Sequence, residues 1–295
     1  MEELLRELIE VLDLEDEGGD SFVGHCERDR HGAIYGGQFV AQALVAAART
    51  AEGRVAHSLH AYFLRGGDPG RPLRYAVERV RDGRSFSHRR VGAWQDETEL
   101  FTAQLCFQPP EEGFEHQLPM PEDAPDPESL PTPEQLAERV RDSMPAETAS
   151  WATSPRAVEM RHWRVPANLG GRGEARNFAW FRIPSPLGEE PLLHQALISY
   201  ASDMSFNDNS VRPHARPGRL GVQMASLDHC VWFHAPARCD EWLLFAQHSP
   251  RAAGARGYVQ GTIFTRAGEM VASLAQECLL RPRGEEGGAP FIARE

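Results

Sequence analysis

Lysine is absent from this 295-residue sequence. All 31 basic residues are arginine, and 43 acidic residues outnumber them, giving a formal net charge of −12. We read the missing lysine as codon bias, not mechanism. The acidic excess argues against non-specific binding to nucleic acid or to anionic membranes. It still allows a small anion held by a local arginine cluster. No apolar run approaches the length of a membrane span. The N-terminal MEELLRELIEVLDLE has amphipathic helical spacing but lacks the basic start and apolar middle of a secretion signal. The five cysteines are odd in number and form no CxxC, which speaks against a disulfide framework or a structural zinc site. A reducing cytoplasm is the simplest setting, and the terminal ARE carries no peroxisomal address. No GxSxG is present, so the nucleophile elbow of an α/β hydrolase is missing. GDSF at Gly19 to Phe22 follows an acidic run, where a buried strand would be needed to present a nucleophile.

What is present is a repeat. Hydrophobic residues make up 41% of the chain, enough for one large core or two ordinary ones. Residues 109–150 begin with a Pro/Glu-rich stretch that reads as an exposed linker. It separates a body at 1–108 from a second at 151–285, with a tail at 286–295. At a constant offset of 170 residues, Phe63 falls on Phe233, Tyr75 on Phe245, Glu99 on Glu269, Leu100 on Met270 and Phe101 on Val271. Each copy is preceded by a helical segment containing QAL, at Gln42 to Leu44 and Gln195 to Leu197. In the first helix, Val40, Ala43, Leu44, Ala47 and Ala48 form the buried stripe. Four strand-length segments follow in each copy: HSLHAYFL, LRYAVERV, SFSHRRVGAW and ELFTAQLCF, then MASLDHCVWFH, EWLLFAQHS, RGYVQGTIFT and MVASLAQECLL. A helix followed by an antiparallel sheet, twice over, predicts an α+β fold with the sheet wrapped around the helix.

Several residues could carry chemistry. Cys230 and Cys278 lie in apolar strand patterns and read as small core residues, not as the exposed thiolate a nucleophile requires. His57 and His60 are three apart, so on one strand they face opposite ways and cannot share a metal; His229 and His234 fail likewise. Gly36 and Gly37 open the first helix, where free N–H groups could polarise a carbonyl or where the chain merely turns. The run RVRDGRSFSHRR holds five arginines, among them Arg84, Arg89 and Arg90, suited to phosphate or to a solvated hairpin. Asp203 flanks the stripe of the second helix. It either closes the FNDNS loop or serves as a base in a cavity.

The segments YGGQFVAQAL, HSLHAYFLRGGD, VRDGRSFSHRRV, YASD, DHCVWFHAP, DEWLL, ARGYVQGTIFTRAGEMVAS and AQE, in order from Tyr35 to Glu277, resemble the acyl-CoA thioesterase II family. That resemblance implies a double hot-dog fold and hydrolysis of acyl-CoA thioesters in fatty acid or other lipid metabolism. It implies a water held by Asp203, Gln276 and Ser226, where Ser226 stands in place of the family's usual threonine. No metal, cofactor, nucleic acid or membrane is expected, and the partner is acyl-CoA, with a homodimer or homotetramer as the assembly. The alternatives are a non-catalytic acyl-CoA binder and a hot-dog hydratase or dehydratase, which would use a histidine with an acidic partner.

Overall fold

The computed structural model describes residues 2–27, 32–141, 154–215 and 222–282. The expected tail at 286–295 and the end of the linker, 142–150, lie outside the described residues.

Helix α1 (Glu2–Leu12) lays Leu5, Leu8 and Leu12 against the main core. Two short strands follow, β1 (Glu15–Gly18) and β2 (Ser21–Gly24), then the long helix α2 (Gly36–Ala48). Four antiparallel strands complete the first unit: β3 (Val55–Phe63), β4 (Leu73–Asp82), β5 (Ser87–Gln95) and β6 (Thr98–Gln108). The sequence suggests one buried stripe on α2, yet residues 37–47 are all buried. The reason is enclosure: the sheet curls around one side and the helix of the second unit covers the other, so an all-round apolar helix is required. Two polar side chains on α2 are paid for by hydrogen bonds. Gln42 donates to Val11 O at 2.6 Å and His25 O at 2.9 Å, and accepts from the Tyr75 hydroxyl at 2.7 Å.

After α3 (Pro133–Val140), the second unit repeats the first. Its elements are β7 (Glu159–His162), β8 (Arg176–Arg182), α4 (Pro191–Ser202), α5 (Asp208–Val211), β9 (Val222–Ser226), β10 (Asp228–Phe233), β11 (Leu243–Ala253), β12 (Arg256–Thr265) and β13 (Met270–Pro282). One continuous sheet results, in the order β1-β2-β4-β5-β6-β3-β10-β13-β12-β11-β8-β7, with β9 pairing on β13. The order is a palindrome about the β3–β10 pair. His60 and Cys230, related by the 170-residue offset, are register partners there, so the quasi-twofold axis passes between them. This is the double hot-dog arrangement, an α+β fold.

The structure corrects two sequence readings. The constant offset fails in the last strand: Leu59 pairs with Leu105 in the first unit, whereas its equivalent His229 lies opposite Gln276 in the second. The β12–β13 turn is longer than the β5–β6 turn, so the offset there becomes 171, and Phe101 matches Ala272, not Val271. The Pro/Glu-rich segment is not simply an exposed linker. It crosses the outer face of the second unit's sheet, where Met120, Ala124 and Leu130 cover Phe178, Trp180, Trp242, Leu244 and Phe264. Trp180 Nε1 donates to Pro125 O at 2.7 Å, and Arg266 pairs with Asp126 and Glu128. A tryptophan buried on a sheet face needs such a partner for its N–H.

Candidate active site

The centre forms where α4 ends. Asp203 is the C-cap of that helix, a half-buried residue. Gln276 Nε2, from β13, donates to Asp203 Oδ1 at 2.9 Å and to Ser226 Oγ at 2.9 Å. Asn207 Nδ2 also donates to Ser226 Oγ, at 2.9 Å. A serine oxygen has two acceptor positions and one hydrogen. With both acceptor positions filled, the Ser226 hydroxyl can only donate, and it faces Asp203 Oδ1 at 3.5 Å.

A break in the strand makes this grouping possible. The segment MASLDHCVWFH runs as two strands, β9 and β10, separated at Leu227, whose N–H donates to Glu277 O at 2.9 Å. On a regular strand, residues three apart face opposite ways. Across the break, both Ser226 and His229 reach the one Gln276 side chain.

Desolvation pushes the Asp203 carboxyl above its usual range. The hydrogen bonds from Gln276, the Gly37 N–H and Ser226 pull the other way, while burial lowers the pKa of the neighbouring His229 and favours its neutral form. The Gly37 N–H belongs to the first turn of α2, so the positive end of one helix meets the carboxylate at the end of the other. No group of three or more His, Cys, Asp or Glu side chains able to hold a metal occurs among the described residues.

Residues 150–279 match the family model described as acyl-CoA thioesterase, and residues 27–108 match that of the acyl-CoA thioesterase N-terminal domain. Acyl-CoA thioesterase 2 of Haemophilus influenzae is 37% identical over 95% of this chain and 99% of its own. The chain belongs to the acyl-CoA thioesterase family. Human acyl-coenzyme A thioesterase 8 is 36% identical over 92% of this chain and 88% of its own. Among solved structures, an acyl-CoA thioesterase II from Mycobacterium marinum superposes with a TM-score of 0.76 at 36% identity, covering 95% of this chain and 99% of its own. A TesB protein of Mycobacterium avium subsp. paratuberculosis gives 0.78 at 33%, covering 95% and 100%.

Of the residues singled out in this thioesterase's sequence, Asp203, Ser226, Gln276, Gly36 and Gly37 come together. Gly36 abuts the Asp203 carboxylate. A Cβ on Gly37 would lie 2.3 Å from Tyr200 O, so the helix ends cross this closely only with glycine there. The arginines do not join them. Arg89 is a correction: its side chain is fully buried, with Nε donating to Thr50 Oγ1 at 2.7 Å and Nη2 to Thr50 O at 2.8 Å and Asp82 at 2.7 Å. It ties β5 to the end of α2 and has no face left for a phosphate. Arg90 points outward and pairs with Glu78, and Arg84 is exposed in the β4–β5 turn. Their strand β5 lies four strand spacings from β13, roughly 19 Å along the sheet. His57 stacks edge-on with Phe86, and the exposed His60 stacks edge-on with Trp232; neither hydrogen-bonds to the carboxylate or its partners.

Two residues of the centre escaped sequence reading. Asn207 falls in the segment that the sequence presents as a loop; it is the N-cap of the short helix α5, with Nδ2 on Ser226 and a buried Oδ1 that has no partner among the described residues. His229 was weighed only as a metal ligand. Its ring is fully buried; Nδ1 contacts Gln276 Oε1, and Nε2 lies 2.9 Å from Ser202 Oγ. The available signal was its odd position in DHCVWF, a polar residue in step with the inward Val231 and Phe233.

Proposed function

We propose that this thioesterase cleaves acyl-CoA by direct attack of a water held between Asp203 and Ser226, without a covalent intermediate. The water oxygen bonds to the thioester carbonyl carbon while Asp203 takes its proton; the C–S bond then breaks, and the CoA thiolate leaves and is protonated. With the water in place, the single Ser226 hydrogen turns from Asp203 Oδ1 to the water oxygen and fixes one lone pair, so that the other faces the carbonyl. Gln276 works at one remove. Both of its amide hydrogens are spent on Asp203 and Ser226, so it sets their positions instead of binding the water itself. The N-terminal end of α2 at Gly36 supplies the positive field for the developing oxyanion.

The observation that carries this reading is a carboxylate held by Gln276, Ser226 and the Gly37 N–H where two helix ends meet, with desolvation pushing its pKa up. A cysteine nucleophile fits poorly: burial raises the Cys230 thiol to about 11 and raises Cys239 further, and protonated thiols attack slowly. A hydratase would need a histidine facing substrate, whereas His229 is sealed behind Gln276.

All five cysteines are free, which supports a cytoplasmic setting, and no helix among the described residues is long and apolar enough to cross a membrane. The edge strands β1 and β7 lack an outer partner among the described residues, which supports a homodimer or homotetramer. Free CoA release, followed with a thiol reagent across acyl-CoAs of increasing chain length, tests the function. Wild type releases CoA and Asp203→Asn does not; binding without release from any acyl-CoA would make the chain a binder.

A further inference from the structure

The atoms around Gln276 constrain one another. Nε2 contacts a carboxylate oxygen of Asp203, which only accepts hydrogen bonds when ionised. The atom on Asp203 must therefore be the amide nitrogen, and Oε1 must point the other way, at His229 Nδ1. An oxygen has no hydrogen to give, so Nδ1 must carry one. The tautomer of His229 is thus fixed by the carboxylate two residues along the chain of bonds.

The reverse also holds. An amide rotated by half a turn would set Oε1 against the Asp203 carboxylate and withdraw the donor from Ser226. What prevents that rotation is the Nδ1–H of His229. The ring cannot turn to present another atom. It is fully buried, Phe206 stands edge-on to it at 6.2 Å, and Ser202 Oγ lies 2.9 Å from Nε2; with Nδ1 protonated the neutral ring accepts there, so the Ser202 hydrogen turns to Nε2 from Ser199 O, 2.8 Å away. In the first unit the counterparts of Ser226, His229 and Gln276 are Ala56, Leu59 and Leu105, all apolar. The histidine appears only where there is an amide to orient, so the fold itself does not require it.

We propose that His229 is a positioning residue of the thioesterase site, whose Nδ1–H locks the Gln276 amide in the one orientation that donates to both Asp203 and Ser226. His229 touches neither water nor substrate. It acts through Gln276. The inference rests on the water-attack reading given above.

The test exploits the two ring nitrogens. An asparagine at 229 places an N–H near the position of Nδ1; a glutamine reaches the position of Nε2 and leaves Nδ1 unreplaced. His229→Asn should keep kcat within about tenfold of wild type, and His229→Gln should lower it by about 100-fold, with KM within twofold in both, because misplacement of reacting groups by an ångström costs about that much. A merely structural role would damage both variants alike and would not separate kcat from KM. Adding Gln276→Ala to His229→Gln should cost nothing beyond Gln276→Ala alone, since both act through one amide. If His229→Gln fails to fold, the nitrogen-15 shift of His229 Nδ1 in wild-type protein decides: a protonated Nδ1 is expected, and an unprotonated Nδ1 overturns the proposal. Equal kcat in the two variants, with Asp203→Asn inactive, would also overturn it while leaving the water mechanism standing. Activity retained in Asp203→Asn would instead remove the mechanism beneath it.

Discussion

Gly36 and Asp203 stand so close that a Cβ on the glycine would lie 2.6 Å from Asp203 Oδ2 and 3.1 Å from the Phe63 ring. Alanine is otherwise a better helix residue than glycine, so Gly36→Ala should not unfold the protein. It should displace the carboxylate from Gln276 and lower kcat by about 10- to 100-fold. Steady-state kinetics with a melting curve check this; unchanged kcat would mean that the carboxylate position is not critical.

The acid limb of kcat/KM should lie above the usual carboxylate range. Burial raises the Asp203 pKa, and the residue must be ionised to take a proton from water. Activity is therefore present above the raised pKa and lost as pH falls through it. A limb at or below about 3.9, the ordinary aspartate value, would disconnect Asp203 from the rate.

Ser226 should tolerate a methyl group and not the loss of its oxygen. Two amide donors already hold the hydroxyl. The extra stiffness of threonine therefore adds little, and Ser226→Thr should change kcat by less than about threefold. Ser226→Ala should lower it by about 100-fold. A large gain in Ser226→Thr would show that the hydroxyl is poorly fixed in the natural protein.

Arg89→Ala should destabilise the fold by about 3 kcal/mol or more, since it strips buried partners from Thr50. KM for acyl-CoA in the folded fraction should not change. A raised KM with an unshifted melting temperature would restore Arg89 to phosphate binding.

Asp208 should give stability an acid preference. It is buried, accepts from the Ala167 and Asn168 N–H groups, and desolvation raises its pKa to about 6. Its native pKa exceeds the unfolded value, so the native state holds the proton more tightly. That contribution is full below the unfolded pKa and is lost as pH rises through about 6. The stability difference between wild type and Asp208→Asn should shift by roughly 2 kcal/mol between pH 4.5 and 7.5 in urea unfolding. A flat difference would exclude Asp208 as the titrating group.

Much of the fold was legible because each unit announces itself in local patterns. A helix containing QAL precedes strands whose inward residues alternate, and Phe63, Tyr75, Phe233 and Phe245 recur at one spacing. The short strands β1, β2 and β7 were not, because EDEG, SFVG and EMRH are too brief to show a period. Arg89 could have been placed: in SHRRVGAWQ it falls in step with Val91 and Ala93, on the buried side. The centre was only partly legible. Asp203 stands out as a carboxylate flanking an apolar helical stripe, whereas Ser226 and Gln276 come only through the family resemblance; His229 is out of step as a polar residue but its partner Gln276 lies 47 residues away, and Asn207 caps a helix of four residues, too short to show a period.

The strap of residues 117–130 has a consequence for assembly. It closes the outer face of the second unit, while the matching face of the first stays open among the described residues, with a hollow of about 440 Å³ bordered by Glu78, Arg90, Trp94 and Glu99. The two halves therefore offer unlike surfaces to a second copy. The segment that buries tryptophans on one side of the molecule thus leaves a palindromic strand order with two unequal outer faces.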